Sequence, residues 1–149
     1  MEHFSESLLR QSLTARSADP YSVAHALLHW AARFGRVIER ENRLLTTGPR
    51  TSATVKFYIE RNLDKFTHLH AAFDMAGDMA TATLSVTFEA TLECSLPTAH
   101  GIATSAFRDV YLARIWSAHL RLARDTAKNL LESMRQQLAT TPGARSTIS

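Results

Sequence analysis

The sequence predicts an α+β fold: an antiparallel β-meander curved around a long C-terminal helix, with a shorter helix near the N-terminus. Three observations carry this. Residues 80–94 set Ala82, Leu84, Val86, Phe88, Ala90, Leu92 and Cys94 against an alternating row of Thr, Ser and Glu, the period of a half-buried strand. Residues 107–138 contain no Gly or Pro, and their apolar residues recur at helical spacing. All five glycines and all four prolines fall between periodic segments.

Phe4, Leu8, Leu9 and Leu13 match one side of a short helix; a strand over 4–14 is the alternative, with poor alternation. Asp19-Pro20 then opens a helix. Asp accepts hydrogen bonds from exposed N–H groups at a helix start, and Pro has no N–H to leave unpaired there. Val23, Leu27, Trp30 and Phe34 follow at helical spacing, and Gly35 supplies the stop, so the helix is expected over 20–34. Residues 36–46 read as a strand ending at a Gly48-Pro49 turn. Val55, Phe57 and Ile59 alternate within a strand over 52–61, and Asn62–Lys65 forms the next turn. Thr67, Leu69, Ala71, Phe73 and Met75 alternate within a strand over 66–76, and Gly77-Asp78 is expected to turn the chain again. A helical face also runs through 55–76, but β-branched and aromatic residues crowd 54–59 and turn residues divide the segment. Short connections make the strands an antiparallel meander with one apolar face.

In the last helix, Leu112, Ile115, Trp116, His119, Leu120, Leu122, Ala123, Ala127, Leu130, Leu131, Met134 and Leu138 share a broad arc. Arg114, Arg121, Lys128 and Arg135 recur every seven residues on the other side. Residues 1–138 are expected to form one domain, and 139–149 a flexible tail.

Composition narrows the function classes. The net charge is +3, but residues 1–102 carry a balance of −1 and residues 103–149 one of +4. The excess belongs to the last helix, a poor match to a dedicated nucleic-acid binder. An apolar fraction of 45% is that of a globular chain. No apolar run approaches the ~18 residues of a membrane span, and residues 1–16 show no signal-peptide core. With Cys94 alone, no internal disulfide is possible, and a cytoplasmic location is expected.

The order of elements resembles the helix-grip superfamily, which includes START-related and pollen-allergen-like proteins. The residues that carry the resemblance are the strand Thr81–Cys94 followed by the helix Phe107–Leu138, and SADPYSVAHALL at 17–28, where the family's first strand passes into its first helix. The resemblance implies a curved sheet gripping the last helix around a cavity for a hydrophobic ligand, such as a lipid, polyketide or quinone-like molecule. The expected lining is Phe57, Leu69, Phe73, Val86, Phe88, Tyr111, Trp116 and His119. His119 stands on the apolar arc, where an imidazole needs a hydrogen-bonding partner. Tyr111 lies two turns earlier but about 80° around a regular helix.

Other chemistry finds little support. His25/His29 and His68/His70 have metal-compatible spacing but no further ligands beside them, and no metal or cofactor is expected. There is no phosphate-binding glycine loop, no GxSxG and no acid pair placed for hydrolysis. A cyclase- or dehydratase-type enzyme would need a second polar group converging on His119. A protein-interaction or chaperone-like module would use a sheet edge or the basic helix face, and a homodimer is compatible with either surface.

Overall fold

The computed structural model describes residues 2–98, 100–140 and 145–148. Six strands and a long broken helix follow in the order β1 (Glu2–Arg16), α1 (Pro20–Ala31), β2 (Arg36–Thr47), β3 (Arg50–Asn62), β4 (Thr67–Asp78), β5 (Thr83–Leu96), α2 (Ile102–Val110), a π-turn (Tyr111–Ile115), α3 (Trp116–Thr140) and β6 (Arg145–Ile148). The strands form one antiparallel sheet in the order β2-β3-β4-β5-β1-β6. The fold is α+β, and five long strands lie against a C-terminal helical segment of 39 residues.

The first element is a strand, and its helix-like spacing has a local cause. Ser7 pairs with Thr91 and Leu9 with Ala90, so Leu8 is an extra residue in the ladder. The bulge changes which parity faces inward. Phe4 packs inward before it, and Leu9, Leu13 and Ala15 after it. Apolar residues at 4, 8, 9 and 13 therefore imitate a helix.

Helix α1 starts as expected. The Asp19 carboxylate accepts the Ser22 N–H at 3.2 Å, and Pro20 takes the first helical position. The helix ends at Ala31, and Phe34 sits in the turn that follows. Gly48-Pro49 closes the β2–β3 hairpin, with Gly48 at the positive φ of +60° that such two-residue turns require.

Gly77-Asp78 is not a turn. Both residues lie in β4, paired with Leu84 and Thr83, and the chain reverses at 79–82. Gly77 instead provides room, because a Cβ there would stand 2.8 Å from the Pro20 Cβ. The C-terminal helical segment begins at Ile102, five residues before the expected start. It runs through Thr140, and Arg145–Ile148 pairs with the edge of β1. Residues 141–144 and 149 lie outside the described part.

The core fills the space between sheet and helices. Phe57 and Phe73 stack at 4.8 Å between ring centroids, Phe88 closes on Phe73 at 5.1 Å, and Trp30 meets Phe73 edge-on at 6.1 Å. Leu27, Val55, Met75, Val86, Ala123, Ala127 and Met134 complete the packing. A smaller cluster of Cys94, Leu96 and Tyr111 sits at the other end of β5, with Phe4, Phe66, Leu112 and Trp116 against it.

Candidate functional site

Two features stand near the β3–β4 turn: a polar network that fastens the C-terminal helix, and a small cavity beneath α3.

The network is centred on Asp64. Its Oδ1 accepts the backbone N–H groups of Phe66 at 2.7 Å and Thr67 at 2.8 Å, which folds the turn around the side chain. Its Oδ2 accepts the Tyr111 hydroxyl at 2.7 Å and His119 Nε2 at 2.8 Å. The single phenolic proton goes to Asp64, so the Thr67 hydroxyl donates to the Tyr111 oxygen. His119 Nε2 faces a carboxylate and therefore carries a proton. Burial pushes the Asp64 carboxyl up, but the four donors outweigh burial and hold it below its ordinary value. Burial also raises the Tyr111 phenol well above its usual range, and the neighbouring Asp64 charge adds to that. Tyr111 is thus a neutral donor at all ordinary pH values.

The π-turn makes this convergence possible. The Trp116 N–H donates to the Tyr111 carbonyl, five residues back. Such a turn inserts one residue, a rotation of about 100°. Over a regular helix, Tyr111 and His119 would diverge by about 80°; the inserted residue reduces this to about 20°. Both side chains then reach the same oxygen.

The cavity has a volume of about 220 Å³ and opens at one side. Phe34, Ile59, Leu69, Ala71 and Leu130 give it apolar walls, and Arg61, Thr126 and Asn129 provide its polar groups. Thr126 bonds back to the Leu122 carbonyl at 2.8 Å. No hydrogen bond or ion pair engages the side chain of Arg61 or Asn129 among the described residues. The register pair Arg61–Leu69 places the cavity one step from the turn that carries Asp64.

The residues expected to line a ligand cavity are divided by the structure. Leu69 lines the cavity. Phe57, Phe73, Val86 and Phe88 are at most 1% exposed and are packed within the core. Tyr111 and His119 belong to the Asp64 network, and half-buried Trp116 touches both apolar clusters. Two members of the expected apolar arc, Ile115 and Leu122, are exposed. Asp64 was legible only as a turn residue. Nothing local in the sequence marks its link to residues about 50 positions later.

The remaining histidines have local partners or face outward. His25 Nε2 lies 3.2 Å from Asn42 Oδ1, His68 Nε2 lies 2.8 Å from Glu93 Oε2, and His70 stacks on Tyr58. His29 is exposed. Among the described residues, no group of three His, Cys, Asp or Glu is placed to hold a metal ion, and no helix is long and apolar enough to cross a membrane. Cys94 is buried, and its burial raises the thiol. Comparison of the chain with protein-family models, with curated proteins and with solved structures finds no match.

Proposed function

We propose that the protein is a helix-grip-type binding module for a small amphipathic molecule. The apolar body of the ligand enters the cavity under α3, and an anionic head meets Arg61 and Asn129. The observation that carries this reading is the combination of apolar walls with a rim cation and a rim amide that have no partner of their own among the described residues. Binding sites of this kind pair an apolar enclosure with a few polar groups that fix orientation. The order of strands and helices supports the helix-grip reading.

Size narrows the ligand. At about 220 Å³ the cavity is smaller than the ~300–1,000 Å³ clefts that take drug-sized molecules. It suits a single-ring or short-chain carboxylate rather than a two-tailed lipid. Asp64, Tyr111 and His119 are not among the lining residues, which favours binding over turnover.

Calorimetric titration with phenylacetate, octanoate and the neutral analogue phenylacetamide tests the reading. The carboxylates are expected to bind and to raise the melting temperature as their concentration increases. Arg61→Gln should remove the preference for carboxylate over amide, and Leu130→Trp should block both. Absence of carboxylate binding, or binding indifferent to both substitutions, defeats the proposal.

A further inference from the structure

The first half of the C-terminal helical segment carries an apolar stripe that the rest of the described chain leaves uncovered. Helix α2 buries none of its residues. Its inner side is held by Phe107 against the Phe66 ring at 5.5 Å, and by Arg108, which pairs with Glu2 and lies over the Phe4 ring. On its outer side Ile102 is 92% exposed and Val110 53%; at the end of the π-turn Ile115 is 39% exposed, and beyond it Leu122 is 55% exposed. A regular helix would place Val110 and Leu122 about 120° apart. The residue inserted by the π-turn brings them within about 20°. Val110, Ile115 and Leu122 therefore continue one line, with Ala106 and Ala118 exposed beside it. From Val110 to Leu122 the line is roughly 18 Å long, and Ile102 stands about 80° around α2 from Val110, on the outward side but off the line.

Cations border this line. Arg108, Arg124 and Arg135 are paired with Glu2, Glu6 and Glu132. Arg114, Arg121 and Lys128 are exposed and have no ion pair among the described residues. Arg61, at the cavity rim beside Thr126, and Lys65, over the Phe66 ring, add cations on the side of the β3–β4 turn. Asp109 and Asp125 are exposed carboxylates of the same helical stretch with no ion pair among the described residues, and they leave the balance positive.

We propose that the outer face of this helical segment, centred on the line from Val110 to Leu122, is an interfacial anchor that lies in the plane of an anionic membrane surface. An apolar stripe bordered by arginine and lysine is the pattern that sinks its side chains to the headgroup boundary and sets its cations at phosphate level. The face is the convex side of one helix with no groove walls, which suits a deformable surface better than a folded peptide. A second copy docked on it would bring two rows of unpaired cations together. The inference is independent of what occupies the cavity, and its test uses no small ligand.

The test is co-sedimentation of the full chain with vesicles of phosphatidylcholine alone and of phosphatidylcholine mixed with phosphatidylglycerol. The protein should sediment with the anionic vesicles and less with the neutral ones, and added salt should release it. Val110→Ser with Leu122→Ser, and separately Arg114→Gln with Arg121→Gln, should each weaken binding about tenfold or more. These positions are exposed, and circular dichroism checks that each variant is folded. No binding to anionic vesicles overturns the proposal, as does binding unchanged by the serine pair. A dimer dissolved by Leu122→Ser, in a protein that ignores vesicles, overturns it in favour of self-association.

Discussion

Tyr111 and His119, eight residues apart on one helical segment, donate to the same oxygen, Oδ2 of Asp64, at 2.7 and 2.8 Å. The π-turn between them brings the two side chains into line, and the carboxylate they share folds the β3–β4 turn through its other oxygen. Removal of the phenolic hydroxyl by Tyr111→Phe leaves the Thr67 hydroxyl and one Asp64 lone pair without their partner. The expected loss is about 1–3 kcal/mol. Insertion of one further alanine after Ala113 adds a rotation that nothing absorbs and turns Tyr111 about 100° against α3, away from Thr67, Cys94 and Phe66. Urea unfolding should show a larger loss for the insertion than for Tyr111→Phe. Equal losses would mean that the alignment contributes nothing beyond the one hydroxyl.

The same carboxylate predicts a pH dependence. The folded state holds Asp64 below its ordinary value, so the folded form binds its proton more weakly than the unfolded form. The stabilisation is present above the ordinary carboxylate range and is lost as pH falls through the lowered folded value. Asp64→Asn cannot accept at both positions and should be less stable than the native chain near about pH 7. The gap should narrow as the pH is lowered toward about 3. Denaturant melts across that range measure it, and a gap that stays constant would show that Asp64 acts without its charge.

The regular parts of the fold were legible because their patterns are local. Thr83–Leu96 alternates along its whole length, and Asp19-Pro20 carries a cap and a compatible first residue side by side. The irregular parts were hidden because one extra residue shifts a period. Leu8 does this in β1 and makes a strand resemble a helix. The π-turn does it in the last helix, where a uniform 100° rotation misplaces Tyr111 relative to His119. Ile115 and Leu122 stand at the edge of the apolar arc and remain exposed. Of the expected site, Leu69 was found because strand alternation places it inward. Arg61, Thr126 and Asn129 read as ordinary polar positions until the strands are laid beneath the helix.

The bulge at Leu8 supports a further prediction. Deletion of Leu8 restores an unbroken alternation in which Phe4, Leu9, Leu13 and Ala15 all keep the inner face and their partners on β5. The ion pairs of Glu2 with Arg108 and of Glu6 with Arg124 also stay in place. The expected cost is confined to the lost Leu8 side chain, which packs partly buried against the core. Hydrogen exchange of the deletion variant should show protection retained along β5, at the Cys94 end as at the Leu84 end. Lost protection at the Cys94 end would show that the bulge itself is needed to seat Phe4.

Gly77 offers the sharpest steric test. Its φ is not positive, so alanine can adopt the backbone, and only space decides the outcome. The added Cβ would meet the Pro20 Cβ at 2.8 Å, closer than real carbon contacts, while Ala53 and Leu84 stand at ordinary distances of 3.5 and 3.6 Å. Gly77→Ala should therefore push the start of α1 off the sheet and cost about 1–3 kcal/mol. Pro20→Gly removes the obstructing carbon at its own cost in helix initiation. Since the two residues share one contact, the double variant should be more stable than the sum of the single losses predicts. Additive losses in thermal or urea unfolding would show that α1 and β4 have room to spare at this point, and that the glycine is not what sets their distance.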